Sequence, residues 1–418
     1  MSGKYFTLDD FDLRGKTVLL RVDINSPIAP GTGEILDDTR IRHHVQTLTE
    51  LSDAKVVLLA HQSRPGKKDF TNLDRHAKRV SVRLGRKVKY VDDFFGSRAL
   101  DSIRNMKPGD VILLENARFY AEEHVLKNKD FAIQAESHMV SHLAKQADYF
   151  VNDAFAAAHR AQPSLTGFTE VLPCIAGKVM EREITMLEKA MKNTERPSIA
   201  VLGGIKVFDT LEVMRHMLGA GVVDRVLATG VVANIFLMAR EFDLGEPNRS
   251  FLERELGGYI ELMESAMGLD SDFQGKIEVP TDLVLNDFGK RKAIHLSDLP
   301  VDLQIFDIGL DTAVNYRKQI LDAKNIILNG PAGVFEIEEF SVGTTIIYNA
   351  IAESQGFSVI GGGETVAAAR NLHLENKVDH ISTGGGACIN FLAGKSMPAI
   401  DALKHSRKLY EGGHYKRG

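Results

Sequence analysis

Apolar runs that do not alternate with polar residues recur along the whole chain, and they constrain its fold more than any other feature. TVLLRVDIN, KVVLLAHQSR, DVILLENAR and DYFVNDAF carry them in the first half, and AVLGGIK, IILNGPAGVF, SVIGGGET and ISTGGGA in the second. A strand with no alternation is buried on both faces, as strands of parallel sheets are. Helix-like stretches separate the runs: DTRIRHHVQTLTELSD after the first, NLDRHAKRVSVRLG after the second, FAIQAESHMVSHLAKQA before DYFVND. Repeated βα order of this kind predicts α/β architecture with doubly wound, Rossmann-like parallel sheets. With 418 residues and 44% hydrophobic content, two such domains with a cleft between them are the natural expectation.

The strand endings differ between the halves. In the first half they are basic or hydrogen-bonding: Asp23 and Asn25, His61 and Arg64, Arg118, then Arg160. In the second half they are glycine-rich. Ligands of open α/β sheets sit beyond the carboxyl ends of the strands. One half therefore offers a cationic pocket. The other offers bare backbone amides suited to nucleotide phosphates. Together they suggest phosphoryl transfer between an anionic substrate and a nucleotide.

The boundary is expected in PCIAGKVMEREITMLEKAMKNTERPS, where Ile175, Val179, Ile184, Leu187 and Met191 are spaced for one helical face. Pro173 would open this helix, and Asn193 and Pro197 would close it. The expected division is residues 1–173, a linker helix at 174–194, a second domain at 195–400 and a tail at 401–418 that packs back toward the first domain. A net charge of -5 leaves no overall basic excess for nucleic acid. Two cysteines, Cys174 and Cys388, cannot build a disulfide framework or a zinc cluster. Neither a signal peptide nor a membrane-spanning run is legible, so a cytoplasmic, monomeric protein is expected.

In the first half, Asp23 and Asn25 lie two apart and would share one side of a strand. Arg40 follows at a helix start, after the polar stretch GTGEILDDT. Arg40, His61, Arg64, Arg118 and Arg160 side by side would suit a phosphate and a carboxylate, which arginine binds through its planar fork. Asp23 is placed to orient an arginine or to accept a substrate hydroxyl. Glu115, Glu122 and Glu123 flank Arg118 and are candidates to pair with it.

In the second half, Gly203 and Gly204 allow backbone to approach phosphate, and Lys206 can neutralise a moving phosphoryl group. Neither GxxxxGK[ST] nor a well-placed GxGxxG occurs, which excludes a P-loop and disfavours a dinucleotide site. Gly361-Gly362-Gly363-Glu364-Thr365 puts three glycines, a carboxylate and a hydroxyl at a helix start, with Glu364 placed to hold magnesium that already carries nucleotide phosphates. Ser382 to Gly386 is a similar glycine-rich turn. Asn329 to Glu336 reads as a nucleoside wall, with small residues to admit a base and Glu336 to accept ribose hydroxyls.

These segments in order, RVDINSP, the arginine of TRI, HQSRP, LLENARF, FVNDAFAAAHR, LGGIKV, NGPAGVFE, GGGET and STGGGA, resemble the successive motifs of phosphoglycerate kinases. They span residues 21–387. The resemblance implies magnesium-dependent phosphoryl transfer between 1,3-bisphosphoglycerate and ADP, giving 3-phosphoglycerate and ATP. It implies a glycerate site of Asp23, Asn25, Arg40, His61, Gln62, Ser63, Arg64, Arg118 and Arg160. It implies a nucleotide site of Gly203, Gly204, Lys206, Gly230, Asn329, Pro331, Gly333, Val334, Glu336, Gly362, Gly363, Glu364 and Thr365, with Glu364 on the metal. Arg40 and Lys206, with the amides of Gly363 and Gly386, would flank the transferred group after domain closure. Three departures stand out: Thr210 where the family often has a second lysine, Glu364 where it often has aspartate, and Thr229-Gly230-Val231 where a triple-glycine turn is usual. They look like those of an archaeal-type branch. The rival readings are a kinase for another acyl phosphate and a non-catalytic nucleotide-binding scaffold.

Overall fold

The computed structural model describes residues 3–193 and 195–415. The chain divides into two compact units, Met1–Ile184 with Ser396–Gly418, and Thr185–Lys395.

The first unit is built on a seven-stranded parallel sheet. Its strands run, edge to edge, Phe6–Thr7, Cys174–Ala176, Tyr149–Asn152, Thr17–Arg21, Lys55–Leu59, Val111–Leu113 and Val88–Tyr90. Thr17–Arg21 is central and buried along its whole length, as its unbroken apolar pattern requires. The helices Thr39–Glu50 and Asp74–Leu84 follow the first two βα crossovers. The third expected helix is broken into Phe131–Ala135 and His138–Ala144. Ser137 causes the break, because its side chain accepts the Val140 N–H and starts a new helix.

The expected linker helix begins later than its apolar spacing suggests. Cys174–Ala176 is a strand, paired in parallel with Tyr149–Asn152 and with Phe6–Thr7. The helix runs Lys178–Lys192, so Ile175 belongs to the sheet and Pro173 opens nothing helical. Its buried face is Met180, Glu183, Ile184, Leu187 and Ala190. Asp153 anchors its start by accepting the Val179 N–H at 2.8 Å. The boundary near residue 400 also shifts. The first unit resumes at Ser396, and the helix Pro398–Glu411 buries Ala399, Ile400, Ala402 and Leu403 in it. The Cys174 N–H donates to Ser406 Oγ at 2.8 Å, so this segment is part of the first unit's core.

The second unit holds a six-stranded parallel sheet in the order Ile277–Glu278, Arg225–Ala228, Ser198–Leu202, Asn325–Asn329, Phe357–Gly361, His380–Ile381. It also holds a sheet that the βα pattern does not announce. Lys290–His295, Asp282–Asp287 and Ile305–Ile308 form three antiparallel strands. The hairpin turn is Phe288-Gly289, both with positive φ (47° and 87°), the geometry of a tight two-residue connection. Cys174 and Cys388 are buried thiols outside any disulfide. No helix among the described residues is long and apolar enough to cross a membrane.

Candidate active site

The buried strand Thr17–Arg21 ends in a charge. Arg21 has no solvent exposure, a costly position unless every donor finds a partner. Its Nη2 lies 2.8 Å from His61 Nδ1 and its Nε donates to Ser164 Oγ at 3.1 Å. Its Nη1 donates to the Val22 carbonyl. Ser164 passes the bond on, donating from Oγ to Glu123 Oε1 at 2.6 Å and from its N–H to Oε2 at 3.0 Å. Burial pushes the Glu123 carboxyl up, opposed by the Arg21 charge and these two bonds. Burial, and then the Arg21 charge, push His61 well below the usual imidazole range, so it is neutral.

Asp23 and Asn25 are not on a strand. The sheet ends at Arg21, and the chain turns because Asp23 Oδ1 accepts the Asn25 N–H at 3.0 Å. Asn25 Oδ1 in turn accepts the Ser63 N–H at 2.8 Å. Ser63 sits at a φ of 56° and offers its carbonyl to Arg118. The turn tips of the first two crossovers are thus tied together, and Arg118 is tied to them. The other oxygen of Asp23, Oδ2, accepts Arg40 Nη1 at 2.7 Å. Burial opposes ionisation of Asp23, but the Arg40 guanidinium holds its carboxyl well below the usual range.

Below these residues, Asp153 accepts from His44 Nδ1 at 2.7 Å and from Thr47 Oγ1 at 2.8 Å. His44 Nε2 reaches the Asp23 backbone at 3.1 Å. Arg160 Nε lies 3.1 Å from His159 Nε2. Burial, and then Arg160, lower His159 to about 4. Burial, followed by the Arg160 and Arg21 charges, lowers Arg118 to about 10. These are the marks of a cluster with more cations than anions. Arg64 is exposed beside it. Gln62 is fully buried and faces inward. Its Oε1 accepts from Ser26 N and His76 Nε2, both at 3.0 Å, which makes it scaffold beneath the site. Of the three flanking acids, Glu115 bonds Tyr90 and Glu122 caps His138, leaving Glu123 in the cluster.

Sequence reasoning missed Arg21, Ser164, His44 and Asp153, and offered Glu123 only as a partner for Arg118, whose charge it does oppose. One signal was available for Arg21: a charge inside a run otherwise too apolar to tolerate one.

The second unit carries a cleft of about 460 Å³. Gly204, Gly230, Pro331, Gly333, Val334, Glu336 and Glu364 all line it, as does Gly204's neighbour Ile205. The antiparallel sheet supplies Leu283, Ile305 and Phe306, and the helix Glu246–Leu256 supplies Phe251; none of these was foreseen. The glycines permit a crossing of two loops. The Gly203 N–H donates to the Asn329 carbonyl at 2.8 Å and the Gly204 N–H to the Pro331 carbonyl at 3.1 Å. Gly330 has a φ of 96°, and a Cβ there would stand 2.2 Å from the Gly203 carbonyl carbon, so only glycine fits.

Lys206 is exposed and immediately precedes the helix Val207–Gly219. Thr210 is buried one turn on, with Oγ1 bonded to the Lys206 carbonyl at 3.0 Å. Gly363 opens the helix Gly363–Asn371, with Gly362 as its cap, and Gly386 opens Gly386–Leu392. Thr365 is buried, and its hydroxyl accepts the Gly330 N–H at 2.7 Å. It braces the loop from below. Asn329 braces it as well, with its side chain beneath Gly362. Glu364 is exposed in the first turn, with Oε2 3.7 Å from where a Cβ on Gly204 would stand. Among the described residues it has no ion-pair partner, which suits a carboxylate that holds a hard cation. No cluster of three or more His, Cys, Asp or Glu among the described residues could hold a metal by itself. Any magnesium would therefore take most of its ligands from nucleotide and water.

The model of the phosphoglycerate kinase family matches residues 8–395. A phosphoglycerate kinase of Methanothermus fervidus is 51% identical over 407 residues, 97% of this chain and 98% of the relative. One from Methanosarcina mazei is 52% identical over 411 residues, covering 98% and 97%. The crystal structure of phosphoglycerate kinase from Pyrococcus horikoshii OT3 superposes with a TM-score of 0.88 at 41% identity, over 96% of this chain and 99% of that one. With a match this long and relatives this similar over nearly their whole length, the chain belongs to the phosphoglycerate kinase family.

Proposed function

We propose that the chain catalyses reversible phosphoryl transfer between 1,3-bisphosphoglycerate and ADP, giving 3-phosphoglycerate and ATP, with the glycerate held by the first unit and the nucleotide by the second. The observation that carries this reading is the contrast between the two half-sites. One surrounds Arg21, Arg118, Arg160 and the Asp23–Arg40 pair with too few anions to balance them. The other is a cleft of apolar walls and bare glycine backbone that ends at Glu364.

Phosphoryl transfer depends on positioning and on charge neutralisation. Arg118, Arg160 and Arg64 clamp the phosphate and carboxylate of the glycerate. Neutral His61 donates from Nε2, because Nδ1 faces Arg21. Arg40, oriented by Asp23, meets the acyl phosphate. Glu336 accepts from the ribose, and Pro331 and Val334 flank the base. Lys206 and the helix-start amides at Gly363 and Gly386 stabilise the moving phosphoryl group. Glu364 would hold a magnesium ion, which would neutralise charge on the nucleotide phosphates. Each ligand belongs to its own unit, so closure that brings them in line is part of this reading. A monomer acting in the cytoplasm is its natural setting.

A coupled assay with 1,3-bisphosphoglycerate and MgADP tests the reading. Turnover of this pair, well above that with acetyl phosphate, is expected. Preference for another acyl phosphate would favour a different kinase, and nucleotide binding without turnover would favour a scaffold.

A further inference from the structure

We infer that Glu123 and Ser164 are positioning residues that act through Arg21 to lock His61 in one tautomer, with its proton on Nε2. Four side chains form one line of hydrogen bonds: His61 Nδ1 with Arg21 Nη2 at 2.8 Å, Arg21 Nε to Ser164 Oγ at 3.1 Å, and Ser164 Oγ to Glu123 Oε1 at 2.6 Å. All four are buried, with 2% exposure or less, so water does not substitute for a missing partner.

The direction of this line is forced. A guanidinium has donors and no acceptor. His61 Nδ1 must therefore accept from Arg21, which leaves the imidazole proton on Nε2. Ser164 Oγ accepts from Arg21 Nε, so its own proton must go elsewhere, and Glu123 Oε1 takes it. The Ser164 N–H on Oε2 fixes the carboxylate's second oxygen. A second proton on His61 would put two donors face to face at Nδ1.

The charges around His61 have the same effect. Burial disfavours an imidazolium most, the Arg21, Arg118 and Arg160 charges add to this, and the Asp23 charge opposes them. The electrostatics makes His61 neutral, but it does not choose between tautomers. That choice is made by the Arg21 orientation, which Ser164 and Glu123 set on the Nε side while the Val22 carbonyl holds Nη1. A neutral imidazole with a fixed Nε2–H is a donor whose presence does not vary across the physiological pH range, as binding of an anionic substrate needs.

The consequence for substrate rests on the proposed role of His61 as a glycerate ligand; the tautomer itself does not. Nitrogen-15 NMR of the full chain labelled at histidine reads the tautomer directly, with the His61 signals identified by their loss in His61→Gln. In the parent protein His61 is expected with its proton on Nε2 and no titration between pH 5.5 and 8. In Ser164→Ala and in Glu123→Gln it is expected to show both tautomers. Ser164→Thr, which keeps the hydroxyl, is expected to restore one. In Ser164→Ala the KM for 3-phosphoglycerate is expected to rise about tenfold, the scale of one buried hydrogen bond, with the KM for MgATP unchanged. A parent His61 carrying its proton on Nδ1, or on both nitrogens at pH 7, overturns the inference even if the variants fail to fold. So does a folded Ser164→Ala whose His61 tautomer is unaltered. A changed tautomer with an unmoved KM supports the lock and overturns the ligand role of His61 instead.

Discussion

Arg40 Nη1 meets Asp23 Oδ2 at 2.7 Å, a half-exposed guanidinium held by a carboxylate that is 6% exposed. The pair shows how this family member prepares a cation. The buried anion is fixed by the Asn25 N–H on its other oxygen, and on the proposed reading the arginine's remaining donors serve the substrate. Arg40→Ala is expected to lower kcat by about 10²–10³, as for loss of one preorganised donor. Asp23→Asn keeps the arginine but frees it, and is expected to cost about tenfold. Steady-state kinetics on both variants, folded by circular dichroism, checks the order. An Asp23→Asn loss larger than that of Arg40→Ala would mean that Asp23 binds substrate itself.

Glu364→Gln is expected to weaken MgADP binding by about tenfold or more and to leave 3-phosphoglycerate binding unchanged. The carboxylate stands near the Gly204 backbone with no ion-pair partner among the described residues, and on the proposed reading its partner comes with the ligand. Titration calorimetry with each ligand separates the outcomes. Equal loss of both would mean that Glu364 supports the fold.

Thr210→Lys would restore the lysine that many family members carry, and it is expected to harm this chain. Thr210 is 4% exposed, and its hydroxyl is already bonded to the Lys206 carbonyl. A lysine there must bury its stem and strain to free its charge, at a cost of about 1–3 kcal/mol. A lower Tm with no gain in turnover is the expected result. A faster enzyme of parental stability would show that the helix turns to present position 210.

Deletion of residues 396–418 is expected to unfold the first unit and spare the second. Ile400 and Leu403 pack in the first unit's core, and Tyr415 OH lies 2.9 Å from Ser406 Oγ. Loss of this apolar burial costs about 5 kcal/mol or more, comparable to a whole domain's stability. MgADP binding should survive while 3-phosphoglycerate binding disappears. Parental glycerate affinity in the truncated protein would be inconsistent with this packing.

Stability is expected to fall in mild acid. His76 is buried and lowered to about 4 by desolvation, and burial and Arg160 bring His159 to about 4. Nδ1 of His76 has no partner among the described residues, so a second proton there has nothing to bond. Below a pH of about 6.5 the unfolded chain takes up protons that the folded one refuses. The sign is therefore a stability complete above about pH 6.5 and lost progressively down to about pH 4, by up to about 3 kcal/mol for His76. Urea unfolding at a series of pH values reads this slope. A stability independent of pH between 6.5 and 4.5 would contradict neutral burial of these histidines.

Much of this protein is legible in one dimension. Unbroken apolar runs such as TVLL and VVLL can be buried only on both faces, so parallel sheets covered by helices followed from them. The strand endings followed too, because a βα crossover brings every strand's carboxyl end to one edge. Tertiary structure decided what those endings do. Asp23 and Asn25 share a turn instead of a strand because a side-chain bond closes it, and Gln62 faces inward because Ser26 and His76 satisfy it there. Glu123 and Ser164 join Arg21 from 102 and 143 residues away, and no local pattern marks such partners. The Cys174–Ala176 strand looked helical because its apolar residues continue the helix's own period. Periodicity reports which residues are buried. Which partner buries them, and which polar group then finds its bond, depends on contacts between segments far apart in the chain, and only the folded chain makes those contacts.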